Sequence, residues 1–195
     1  IGNMLGPRQG IFTGNAIGGW MEHAIAQRLG KPDMSFEELA QWQQEAQKST
    51  TTGNLDFFEK AYQQAKASET KFNHQYSPYI NTPDHQFHFD FNNACELRDN
   101  VLKTLNFHVV ASEVIEKDGK TSFKPTVFDA NNPELKSVPI ARAVQASASF
   151  PYVFARQKIN GKYYTDGGVS NNIPIEVFDG PDGKANPNAI AIGVN

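Results

Sequence analysis

The chain has 195 residues, 39% of them hydrophobic and 20% charged, with a formal net charge of −3. Those proportions allow a sizeable core and exclude wholesale disorder and collagen-like structure. The weak acidity argues against a nucleic-acid surface, the single cysteine, Cys95, excludes an internal disulfide framework and a four-cysteine zinc site, and no apolar run approaches the roughly 20 residues of a spanning helix.

The chain opens at Ile1 with a Gly/Pro-rich polar stretch, which reads as the later part of a longer polypeptide. Ile17, Trp20, Met21, Ala24, Ile25 and Leu29 recur at helical spacing and predict one apolar face, stopped at Gly30. Ser35 followed by Glu38 matches a capping box, so a second helix is expected from Phe36 to Gln47. The cluster Ser49–Gly53 reads as a loop, Asn54 as a cap, and Leu55, Phe58, Tyr62 and Ala65 as the face of a third helix. These helices are polar enough to be expected at the periphery. From Lys71 to Asn93 no period persists. Phe87, Phe89 and Phe91 alternate with polar residues, as in a short strand or an ordered loop, and a helix is expected from Ala94 to Thr104.

The remainder has strand character. Phe107–Ile115 and Ser122–Phe128 are expected strands around the turn Asp118-Gly119. Pro139–Ala148 reads as a helix of small residues, which permits close approach of another backbone or a ligand. Val153–Ile159 and Lys162–Thr165 are expected strands joined by Asn160-Gly161, and Asp179–Asn188 is a loop before a buried strand at Ala189–Val194. Strands mixed with helices suggest an α/β layered architecture.

The chemistry-bearing segment is Ala146–Ala155 followed by Tyr163–Pro174. A strand delivers Asp166 to its end, and Gly167 and Gly168 follow at once. The backbone can therefore turn sharply and approach a neighbour with no Cβ in the way. A carboxylate so placed suits a cleft, although a bare Asp-Gly-Gly is also an ordinary polar turn.

Here the tripeptide belongs to an ordered set. Ala-Ser-x-Ser-x-Pro ends a small-residue helix, Asn-Gly-Lys-Tyr-Tyr makes a hairpin, and Asp-Gly-Gly and Asn-x-Pro follow. The set resembles the patatin-like phospholipases, sharply over Ala141–Ile175 and in element order over Phe107–Val194. The resemblance implies an α/β three-layer domain with a central, mostly parallel sheet. Residues 1–195 would be the C-terminal part of that domain, incomplete on its N-terminal side, with 1–106 mainly helical and variable and 107–195 the sheet core. It also implies a lipid acyl hydrolase of the phospholipase A type, working at a membrane surface through a Ser–Asp dyad. Asp166 would take the serine proton with no histidine between them. A glycine-rich loop would hold the oxyanion, and no metal or organic cofactor is implied. The Gly-x-Ser-x-Gly elbow of that family does not occur in these residues. Its serine and oxyanion loop are expected in an upstream segment of the same protein, and the chain alone is expected to be inactive. The alternative is a catalytically inactive module of the same fold that binds lipid or a protein partner.

Other candidates have plainer readings. Ser147 and Ser149 lack flanking glycines and read as packing or helix-end residues, and Ser170 as a local hydrogen-bonding group. His85, His88 and Asp90 are spaced like a metal cluster but want a fourth ligand. His108 reads as a structural histidine and Cys95 as a small buried side chain. Arg142 could meet a phosphate head group, Asp166 or a surface carboxylate. Phe150, Tyr152, Val153 and Phe154 read as core and rim residues, with a lipid-facing role as the other option.

Overall fold

The structure, a computed structural model, describes residues 10–75, 89–104, 107–179 and 184. The expected strand at Ala189–Val194, most of the loop before it, and Phe87, His85 and His88 lie outside those residues.

A short strand β1 (Gly10–Phe12) leads into α1 (Asn15–Leu29), α2 (Phe36–Thr52), α3 (Asp56–Gln75) and α4 (Ala94–Lys103). Strands β2 (Val109–Lys117) and β3 (Lys120–Phe128) follow, then α5 (Ile140–Ser147), β4 (Tyr152–Phe154), β5 (Gln157–Ile159) and β6 (Lys162–Thr165). Two 3₁₀ turns, Gly167–Val169 and Ile175–Phe178, end the described chain.

The architecture is mixed α/β with two sheets. β1 and β4 form a parallel pair, Gly10 opposite Tyr152 and Phe12 opposite Phe154. The other sheet has the order β3-β2-β6-β5, every pairing antiparallel. Among the described residues parallel pairing is thus confined to the first sheet, and the strands around the Asp-Gly-Gly turn come from hairpins. Both hairpins turn on left-handed pairs, Asp118-Gly119 and Asn160-Gly161, as the two-residue connection requires.

The expected strand Val153–Ile159 divides. Residues 152–154 join the parallel pair, 157–159 join the antiparallel sheet, and Ala155-Arg156 crosses between them. The expected loop at Ser49–Gly53 is helical through Thr52 and stops at a left-handed Gly53. Asn54 does cap α3, its side-chain oxygen accepting the Asp56 N–H at 2.8 Å.

The helices are not peripheral. Ile25, Leu29, Phe36, Leu39, Phe58 and Ala65 join Leu97, Val101, Ala111, Phe128 and Tyr164 in one apolar cluster. Burial of this kind stabilises by about 25 cal/mol per Å² of apolar surface. On α1 the buried residues include Gly18, Gly19, Ile25, Ala26 and Leu29, while Trp20 is 59% exposed. Gly18 lies against α5, where a Cβ would stand 3.0 Å from the Gln145 side-chain oxygen. Close approach of small residues, and not a large apolar stripe, decides which side of α1 faces inward.

Candidate functional site

Strand β6 carries Asp166 to the point where the sheet ends. Its register is set on both sides: Tyr164 lies opposite Glu113 and Gln157, and Thr165 opposite Ser112. The Asp166 N–H donates to the Ser149 carbonyl at 3.0 Å. The Thr165 hydroxyl donates to that same carbonyl at 2.7 Å. The end of α5 therefore anchors the end of β6.

The turn is held from the other side by Ser112, a fully buried residue of β2. Its hydroxyl donates to the Asp166 carbonyl at 2.7 Å. A hydroxyl has one proton, so the Ser170 hydroxyl, 2.7 Å away, donates to Ser112. The Ser170 N–H donates to the same oxygen at 3.2 Å. Nothing in the sequence marks Ser112, because its partners lie more than 50 residues further along the chain.

Gly167 fits where no other residue would. A Cβ there would stand 2.3 Å from the Val110 carbonyl oxygen. Gly168 donates its N–H to the Asp166 Oδ1 at 2.8 Å, fixing the carboxylate rotamer. A Cβ on Gly168 would crowd the Asn172 side chain at 2.9 Å and that same Oδ1 at 3.1 Å. Asp166 is half-buried, with buried Gly167 on one side and exposed Gly168 beyond it.

The serines nearby are structural in their bonding. Ser147 donates to the Val110 carbonyl and Ser149 to the Gln145 carbonyl, each at 2.7 Å. Arg142 donates to the Gln145 side-chain oxygen at 2.5 Å, and its charge acts on Glu22. Burial raises the pKa of the Glu22 carboxyl and Arg142 draws it back. His108 has a partner in Asp129 at 3.3 Å and presents an edge to Phe178.

Two expectations are corrected. Cys95 is exposed, because α4 buries Ala94, Leu97 and Val101 and leaves the next position on the helix outward. Phe150 and Tyr152 are not core: they are 60% and 72% exposed, and Val153 is exposed with them. Tyr152 has a left-handed backbone, φ 67°, a conformation costing on the order of 1–2 kcal/mol for a non-glycine residue. That residue bends the chain from Ser149 into β4 and leaves both rings outside.

Three cavities among the described residues lie away from Asp166. One, about 600 Å³, is lined by Glu113, Glu134, Lys162 and Tyr164 among others. Its charges are largely matched, Lys162 reaching Glu134 at 3.3 Å and Glu113 at 3.6 Å. Burial, with Glu113 alongside, raises the pKa of the Tyr164 hydroxyl. A second, about 160 Å³, lies beside His108 and Asp129. The third, about 230 Å³, lies at the start of α1. Among the described residues no three or more metal-binding side chains gather, and no helix is long and apolar enough to cross a membrane.

Comparison with known proteins agrees with this fold. The family model described as patatin-like phospholipase matches residues 7–179, so the chain belongs to the patatin-like phospholipase family. It is similar to a "Probable lipid hydrolase 463L" of Invertebrate iridescent virus 6, 31% identical over 86 residues. That match covers 39% of this chain and 29% of the viral protein. No solved structure matches.

Proposed function

We propose that the protein is a lipid acyl hydrolase of the phospholipase A type whose dyad carboxylate is Asp166. The observation that carries this reading is the locked turn. The Ser149 carbonyl, the Ser112 hydroxyl and the Gly168 N–H fix the backbone and carboxylate of Asp166 inside the family match. Preorganisation of this kind suits a group that must meet a hydroxyl at one distance.

In this reading an upstream segment of the same protein brings a serine to the Asp166 carboxylate. Asp166 takes the hydroxyl proton as the serine oxygen attacks the ester carbonyl of an acyl lipid. Backbone N–H groups of a glycine-rich loop on that segment hold the oxyanion. The protonated Asp166 returns its proton to the departing alcohol, leaving an acyl-enzyme. A water then gives a proton to Asp166 as its oxygen attacks the acyl carbonyl, and Asp166 passes that proton to the serine oxygen as the fatty acid leaves, which restores both groups. The exposed Phe150 and Tyr152 are the side chains assigned to the bilayer surface.

The test is Asp166→Asn in the intact protein. A fluorophosphonate probe labels the wild type, and both labelling and lipolysis fall by about 10²–10⁴-fold in the variant, the usual worth of a positioned base. Unchanged lipolysis removes Asp166 from the mechanism. An intact wild type that neither labels nor hydrolyses is the inactive binding module.

A further inference from the structure

We propose that the cavity at the start of α1 is a binding site for a phosphate group. It holds about 230 Å³ and its wall includes Thr13, Asn15, Arg142, Arg156, Gln157 and Lys158. Two arginines are among the lining residues and no carboxylate is; Lys158 borders the cavity with its ammonium 5.7 Å from the Tyr163 ring centroid. A water takes about 30 Å³ of liquid volume, so the space accepts a group several waters in size. Its lining is too polar for an acyl chain.

The charges are built in. Arg156 is a buried guanidinium paired with Glu116 at 2.8 Å. Arg142 is steadied by Gln145, whose amide in turn donates to the Thr13 carbonyl at 3.2 Å. The Gln157 amide donates to that carbonyl as well, at 3.0 Å. Arg142, Gln145, Thr13 and Gln157 are therefore linked in one hydrogen-bond frame. Glu116 pairs with Arg156 and the Glu22 carboxyl feels Arg142, and neither carboxylate is among the lining residues. Helix α1 begins at Asn15 with no acidic residue in its first turn, so its positive end adds to the field without a resident carboxylate to cancel it. Guanidinium forks match the oxygens of phosphate. The site is also close to the dyad strand, for Gln157 pairs with Tyr164, two residues before Asp166.

This site rests on its own geometry and does not depend on lipid hydrolysis. The ligand chemistry is a phosphate group, free or as a lipid head group. Inorganic phosphate titrated into the full-length protein by calorimetry gives saturable binding. Arg142→Gln weakens it by about tenfold or more, the worth of one charged hydrogen bond. The exposed Lys158→Gln weakens it by up to about fivefold, and carries the test alone if thermal melting finds the arginine variant unfolded. A second arm names the source. If a head group binds, the protein floats with phosphatidylglycerol vesicles in preference to digalactosyldiacylglycerol vesicles, and Lys158→Gln loses that preference. If free phosphate is the ligand, the calorimetric result stands with no vesicle preference. The proposal is overturned if inorganic phosphate does not saturate, or if the folded variants bind it as the wild type does.

Discussion

The Asp166 carbonyl receives the Ser112 hydroxyl at 2.7 Å, and that hydroxyl in turn accepts from Ser170 through both side chain and backbone. Removing it leaves buried partners without a bond, which costs about 1–3 kcal/mol. Ser112→Ala should lower the stability of the chain by that amount in urea, and in the intact protein should lower kcat more than it raises KM. A stability loss with unaltered kcat would make Ser112 a packing residue alone. Two glycines separate steric from conformational need. Gly167→Ala places a methyl 2.3 Å from the Val110 oxygen, so the turn must move, at about 1–3 kcal/mol. Gly119→Ala meets nothing within 4 Å but keeps φ at 70°, at about 1–2 kcal/mol. The two variants should melt alike, and only the first should lose fluorophosphonate labelling. Equal labelling in both would show that the Asp166 turn tolerates displacement.

Helix α2 starts on a reciprocal cap. Ser35 accepts the Glu38 N–H at 3.3 Å, and Glu38 accepts the Ser35 N–H at 3.0 Å. Lys31 pairs with the same carboxylate. Burial opposes the charge of Glu38, but the Lys31 and Ser35 hydrogen bonds outweigh it and hold the pKa of its carboxyl below the usual value of 4.5. With the folded value depressed, the unfolded chain binds the proton more tightly. The contribution to stability is complete above pH 4.5 and is lost as the pH falls through the folded value. Ser35→Ala should cost about 1 kcal/mol at neutral pH. Glu38→Gln should flatten the acid limb of the stability curve, and an unchanged acid limb would exclude Glu38 as its source. This cap was legible in the sequence because Ser35 and Glu38 lie three residues apart. The two hairpins were legible for the same reason, since Asp-Gly and Asn-Gly dictate their own turns. The break at Ala155-Arg156 was not: both halves have strand composition, and which sheet each joins is decided by β1 and β6, distant in sequence.

At the scale of the whole molecule the legible part was the order of elements and the Asp-Gly-Gly turn. The packing that links them was hidden. Trp20 has helical spacing with Ile17, yet it faces outward, because Gly18 and Gly19 are on the buried side of α1 and Gly18 meets α5 at Gln145. Apolar periodicity cannot register a face made of glycine. The early helices read as peripheral because they are polar, although their buried residues share one cluster with Ala111, Phe128 and Tyr164 of the sheet. A single cluster predicts a single cooperative unit. Phe58 of α3 is fully buried, with the Trp42 ring edge-on at 6.3 Å. Phe58→Ala should cost about 3–5 kcal/mol. The loss should appear at the same midpoint in Trp fluorescence, which reads the helices, and in far-UV circular dichroism. The globally exchanging amides of Ala111 and Tyr164, in β2 and β6, should lose protection by the same free energy, although neither strand contains the substitution. If their protection is unchanged while the fluorescence midpoint falls, the helices and the antiparallel sheet unfold separately. The Asp166 turn would then owe its rigidity to the sheet alone.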